Sequence, residues 1–151
     1  MDKTVKKEIP NNVLLPQVGR LLEEGMEVTM SVKGFSMLPF IVGGRDSVVL
    51  KKYSVSPERL DIVLALTTAG NYVVHRVVKV EGDMLTLMGD GNLKGTERCA
   101  VANVLGKVVA VEYAGRKYNP YSPTMLCLSK VWIFLKPFRR YILAVWRHLF
   151  L

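Results

Sequence analysis

Cysteine and histidine are scarce in this chain, two of each among 151 residues, and that scarcity narrows the chemistry. Cys99 and Cys127 show neither a CxxC pair nor metal-ligand spacing, so both are expected to be unpaired small hydrophobic side chains. No metal site is expected, and no cofactor, because the glycines form no nucleotide-binding loop. There is no internal repeat. The opening MDKTVKKEIPNN carries charges with no apolar core behind them, so it does not read as a secretory signal peptide. Acids are missing altogether from residues 124–151, which hold Lys130, Lys136, Arg139, Arg140 and Arg147.

Hydrophobic residues are plentiful, at 50% of the chain, too many for a disordered polymer. The length suffices for one domain with a real core. Of the formal net charge of +8, the acid-free segment supplies five units, and residues 1–123 are nearly balanced. The basic excess therefore travels with the most hydrophobic stretch. That pairing fits an anionic membrane surface and speaks against nucleic acid as the partner.

Residues 1–11 read as a polar segment. Asn12 is placed to cap a helix running to about Glu24, with Leu14, Leu15, Val18, Leu21 and Leu22 at helical spacing, Pro16 in the tolerant first turns and Gly25 as a stop. From Met26 the period changes. MEVTMSV, DSVVLKK, DIVLALT, NYVVHRVVKV, MLTLM and VLGKVVAVEY are short and rich in β-branched residues. TTAGN, EGD and EYAGRKY supply hairpin connections. The expected fold is mainly β, an antiparallel barrel-like domain of six or seven strands over 12–119, with a short N-terminal helix.

PYSP at 120–123 reads as a linker to a hydrophobic, basic, helical tail over 124–151. An uninterrupted membrane span needs about 20 apolar residues, and here KPFRR interrupts the run, with Pro137 set to break the helix. Trp132, Tyr141 and Trp146 suit a membrane interface. The expectation is an amphipathic or re-entrant hairpin on the membrane, its arginines meeting lipid headgroups, and a body that keeps its chemistry when 124–151 is removed. The other reading is a helix packed on the domain or on a partner.

Three stretches bear on chemistry: GFSMLPF around Ser36, VVHRVV around His75 and MGDGN around Asp90. Serine is a poor nucleophile until an imidazole takes its proton and a carboxylate holds that imidazole in the right tautomer. With His148 in the basic tail, His75 is the sensible base. Alternation along a strand puts His75 on one face with Val73 and Val77, and Arg76 on the other, where it is expected to form a structural ion pair. Gly34 lets the backbone come close to a substrate, Pro39 stiffens the turn after the serine, and Phe35 and Met37 supply apolar walls or lipid contact. Core packing is the plainer reading for Phe35, Met37 and Phe40.

Over residues 26–113 the chain resembles the signal peptidase and LexA-like serine peptidase clan, especially the histidine-using branch found in archaea and the endoplasmic reticulum. Ser36–Pro39, SMLP, is similar to that clan's SMxP nucleophile box. VVHRVVKV resembles the second box, where the base is lysine in bacterial housekeeping enzymes and histidine in this branch. DIVLAL looks like the GDIV-type strand, and MGDGN resembles the KGDNN-type box. The three boxes follow in the family's order, about 40 and then 15 residues apart. The resemblance implies Ser36 as nucleophile, His75 as general base and Asp90 as the acid. A further acid is expected a few residues later, where Thr96 stands and Glu97 is the nearest carboxylate. Gly34 occupies the place where many signal peptidases have a serine that helps to bind the oxyanion. That leaves the Ser36 N–H as the expected donor. Asp46 stands where a GD pair is usual, after GGR.

The function so implied is a membrane-associated serine endopeptidase that removes leader or signal peptides by an acyl-enzyme route, its partners being a substrate with such a segment and lipid. The alternatives are a LexA-like protease cleaving itself or a bound partner, and a non-catalytic membrane-bound binding module on the same fold.

Overall fold

In the computed structural model, which describes residues 11–151, the β-branched stretches pair into one curved antiparallel sheet, a half-barrel. Helix α1 (Asn11–Glu23) precedes it and ends where Gly25 takes a left-handed φ of 83°. Asn12 lies inside this helix, and residues 1–10 of the polar segment fall outside the described residues. The strands are β1 (Val28–Ser31), β2 (Ser47–Lys51), β3 (Ile62–Leu66), β4 (Tyr72–Glu81), β5 (Met84–Met88), β6 (Glu97–Ala100), β7 (Val104–Tyr113) and β8 (Arg116–Tyr118). Their order across the sheet is β1-β2-β7-β3-β4-β5-β6, with β8 also on β7.

Two of these strands escaped the sequence pattern. Strand β8 is the return arm of the EYAGRKY hairpin, in which Ala114 and Gly115 both have positive φ. Strand β6 has only four residues, ERCA, and two of them are charged, so it has no apolar alternation to read. Register shifts at Val49/Leu50, Leu64/Ala65 and Val77/Lys79 bend the sheet into its half-barrel.

Strands β3 and β4 are covered on both faces, which is why they read as nearly unbroken apolar runs. On one face Ile62, Leu64 and Val74 join Leu15, Val18 and Leu22 of α1 together with Met37 and Ile41. On the other, Val63, Ala65 and Val77 pack with Leu85, Leu87 and Cys99. Each fully buried aliphatic side chain here contributes about 1.5–3 kcal/mol of burial free energy. Burial also pushes the Cys99 thiol pKa up, which suits an inert core residue.

The chain after β8 stays on the body. Tyr121, in the 120–123 stretch, places its hydroxyl on the Ile62 N–H at 3.0 Å and on the Val108 carbonyl. Ser122 caps helix α2 (Pro123–Phe134) by accepting from the Met125 N–H at 3.3 Å. A short 3₁₀ turn, Lys136–Phe138, carries Pro137 and leads into helix α3 (Arg139–Phe150). Among the described residues no helix is long and apolar enough to cross a membrane. Trp132 and Leu143 bury against Leu38 and Val42, and Phe40 meets the Trp132 ring edge-on.

The loop joining β1 to β2 folds back tightly on itself. The Val32 N–H donates to the Asp46 carbonyl at 3.1 Å and the Gly44 N–H to the Val32 carbonyl at 2.8 Å, while the buried Asp46 carboxylate accepts the Val42 N–H at 2.9 Å. Inside the loop, Gly43 lies so close to Gly34 that any side chain at Gly43 would overlap the Gly34 carbonyl. Gly43→Ala must therefore spread this loop, and a thermal melt should show a loss on the order of 3 kcal/mol. An unchanged melting temperature would mean that the loop is not held closed in this way.

Candidate active site

Ser36 sits half-buried in the β1–β2 loop, two residues after Gly34, whose φ of +76° is a conformation costly to other residues. Phe35 beside it is 48% exposed, whereas Met37 is buried in the main core. The expected apolar wall or lipid contact at Met37 thus gives way to core packing. The turn rests on that side chain, which occupies the space beneath the sheet. Pro39 is half-buried in the turn that follows.

The β5–β6 turn closes over this segment. The Gly91 N–H donates to the Ser36 carbonyl at 2.8 Å. A side chain at Gly91 would overlap the Phe35 carbonyl, and one at Gly89 would overlap the Ser36 carbonyl while lying 3.1 Å from His75 Nε2. The imidazole edge and the Ser36 backbone therefore flank the same glycine. Among the described residues no hydrogen bond joins Ser36 to the His75 ring, and hydrogen bonds of this kind often tighten only when a substrate is bound.

His75 is 5% exposed, and its Nδ1 meets Glu97 Oε2 at 2.9 Å. A carboxylate can only accept, so Nδ1 carries the proton of the neutral ring and donates it. Nε2 is left with its lone pair toward Gly89 and Ser36. That is the tautomer a general base requires.

Asp90 was expected beside His75, where Glu97 stands. Its two oxygens instead accept from Arg76 Nε at 2.9 Å and Nη2 at 2.8 Å, and Arg76 also donates to the Leu60 carbonyl at 2.9 Å. Sheet parity is the reason. His75, Val77, Leu87 and Glu97 lie on one face, because Val77 pairs with Leu87 and Leu87 with Glu97. Arg76 pairs with Met88 and shares the opposite face with it, and Asp90 reaches that face from the turn. The structural ion pair foreseen for Arg76 is therefore made with the very residue assigned to His75. Burial opposes the guanidinium charge, but the field and hydrogen bonds of Asp90 outweigh it and raise the Arg76 pKa above its ordinary value.

Other candidates have structural roles. Asp46 holds the Ser36 loop and pairs with Arg45 at 2.8 Å. Lys52 and Lys79 pair at the surface with Glu23 and Glu81. Among the described residues no cluster of His, Cys, Asp and Glu could hold a metal ion. Two residues went unsuspected at the site. Trp132 Nε1 donates to the Asp90 carbonyl at 2.8 Å, and Arg139 Nη1 to the Asn92 carbonyl at 3.2 Å. Arg139, expected at a lipid headgroup, is 2% exposed. It is drawn inward because α3 turns Arg139 and Leu143, one helical turn apart, toward the body.

No protein-family model matches the chain, and no curated protein matches it either. The functional reading accordingly stands on the geometry.

The two carboxylates should separate experimentally. Asp90→Asn leaves a buried guanidinium without its counter-charge and should cost about 3–5 kcal/mol in a chemical melt. Glu97→Gln, on a strand edge, should leave the melt nearly unchanged yet slow acylation of Ser36 by a fluorophosphonate on the order of 10³-fold. The reverse pattern would return Asp90 to the role of orienting acid.

Proposed function

We propose that the chain is a serine endopeptidase of signal peptidase type, acting through Ser36, His75 and Glu97. One observation carries the reading: His75 is fixed by Glu97 at Nδ1 and turns Nε2 toward the Ser36 segment. A core histidine needs one partner for its N–H, but it needs no half-buried serine beside its lone pair. The resemblance around SMLP and VVHRVV supports the same reading.

The mechanism follows from the groups present. Nε2 accepts the Ser36 Oγ proton as the oxygen attacks the scissile carbonyl. Glu97 stabilises the imidazolium that forms, and it keeps its own charge. Negative charge develops on the carbonyl oxygen, and the Ser36 N–H, which meets no protein acceptor among the described residues, is the donor assigned to it. The imidazolium then protonates the leaving amine. In the second half His75 takes a proton from water, the resulting hydroxide attacks the acyl carbonyl, and Ser36 is released with its proton restored. The substrate class, a leader or signal segment with small residues before the cut, is the one the resemblance implies.

Ser36→Ala should abolish fluorophosphonate labelling and lower peptide cleavage by 10³-fold or more with the fold intact. Near wild-type cleavage by Ser36→Ala would overturn the assignment.

The same reading places the enzyme on a bilayer surface. Helices α2 and α3 bury Trp132, Arg139 and Leu143 against the body but leave Phe134 (83% exposed), Phe138, Tyr141, Val145 and Leu149 open. The exposed cations Lys130, Lys136, Arg140 and Arg147 surround them with no acid in the segment. Aromatic and aliphatic groups beside unneutralised cations suit an anionic headgroup layer. The protein should float with phosphatidylglycerol vesicles and not with phosphatidylcholine ones. Raising salt from 0.1 to 1 M should release it, since the screening length falls from about 10 to 3 Å. Equal binding to both vesicle types would remove the electrostatic part of the proposal.

A further inference from the structure

The Ser36 carbonyl is tied to the β5–β6 turn through the Gly91 N–H at 2.8 Å. That turn is itself held from two sides. From the sheet, Arg76 grips the Asp90 carboxylate. From the opposite end of the chain, Trp132 Nε1 takes the Asp90 carbonyl at 2.8 Å, and Arg139 Nη1 takes the Asn92 carbonyl at 3.2 Å and lies 3.8 Å from Met88 Sδ. Both tail side chains are buried, at 6% and 2% exposure. Leu143 and Trp132 also pack on Leu38 and Val42, in the loop that carries Ser36. The helical pair thus touches both segments that meet at the nucleophile.

Arg139 is expensive in this place. Its Nε has no partner, and burial lowers its pKa from the ordinary value. Burying a guanidinium with one nitrogen unpaired works against stability, and an apolar side chain of similar volume would serve a hydrophobic core better. What an apolar side chain would not do is hold the Asn92 carbonyl. The geometry points to α2 and α3 as a brace for the catalytic loop, with Trp132 and Arg139 as positioning residues for Ser36 acylation. This rests on the serine peptidase reading. Neither residue touches substrate. They fix the turn, the turn fixes the Ser36 backbone, and a displacement of about 1 Å at a reacting group is worth roughly 10²-fold in rate. The tail is then part of the catalytic unit, and the expectation that its removal leaves a competent body is reversed.

The test uses the full chain with Trp132→Phe, which keeps a ring against Phe40 and removes one donor, and Arg139→Gln. Three quantities are read below the melting transition: the fluorophosphonate labelling rate, its pH profile, and hydrogen exchange of the Gly91 amide. Each variant should label about 10-fold or more slowly, as a fraction of the roughly 10²-fold a 1 Å error costs. The midpoint of the pH profile should not move, because the contact between His75 and Glu97 is untouched, and the Gly91 amide should exchange faster. Val18→Ala, on the buried face of α1, should lower the melting temperature and leave the labelling rate of folded protein as it was. Wild-type labelling and exchange in both variants would overturn the brace, as would faster Gly91 exchange with an unchanged labelling rate. A wild-type protein inert to the probe, with Gly91 protection still dependent on Trp132, would sink the peptidase reading instead and reduce the brace to a feature of the fold.

Discussion

Everything at the site depends on one close backbone approach, the packing of Gly89 and Gly91 against Phe35 and Ser36. Two loops can come within hydrogen-bond distance, carbonyl to N–H, only where no Cβ intervenes. Gly91 supplies the donor and the bare space, and Gly89 leaves room for the His75 edge. With any other residue at these positions the serine segment and the imidazole would be pushed apart. The sheet brings these loops into reach, but the glycines set the final separation.

The second constraint is the division of labour between adjacent residues on β4. His75 and Arg76 point to opposite faces, and each face gives its residue a different carboxylate. A buried guanidinium demands a full counter-charge with two-point geometry, which Asp90 provides at 2% exposure. The imidazole needs only one acceptor for its Nδ1 proton, and the partly exposed Glu97 provides it. Exchanging the two partners would leave the arginine underpaired and the histidine frozen.

Much of the fold was open to reading because its signals are local. Apolar spacing marked α1, β-branched runs marked six strands, and Pro137 marked the break between α2 and α3. The Ser36 loop and the His75 strand carry the motifs on which the resemblance rests. Glu97 was harder to see, since ERCA has no strand pattern and becomes a strand only by pairing with β5. The pairing of Asp90 with Arg76 was hidden for a related reason. Sequence distance to the GD turn was visible, whereas the face on which the turn delivers its carboxylate depends on the register from β4 to β5. Arg139 was hidden by its neighbourhood, because in an acid-free stretch a buried cation looks like any surface one.

The order in which the chain is made gives the packing of α2 and α3 a temporal meaning. Translation delivers Ser36, His75 and Glu97 well before Trp132 and Arg139. Before α2 and α3 dock, the sheet can close while the Ser36 loop still lacks its contacts with Trp132 and Leu143. On the proposed peptidase reading, assembly then has two stages, first a folded but idle body and then a competent one, and the second stage waits for the helices that also carry the exposed apolar face. On that same reading, a nascent chain would gain a competent Ser36 site only after its last helices had docked.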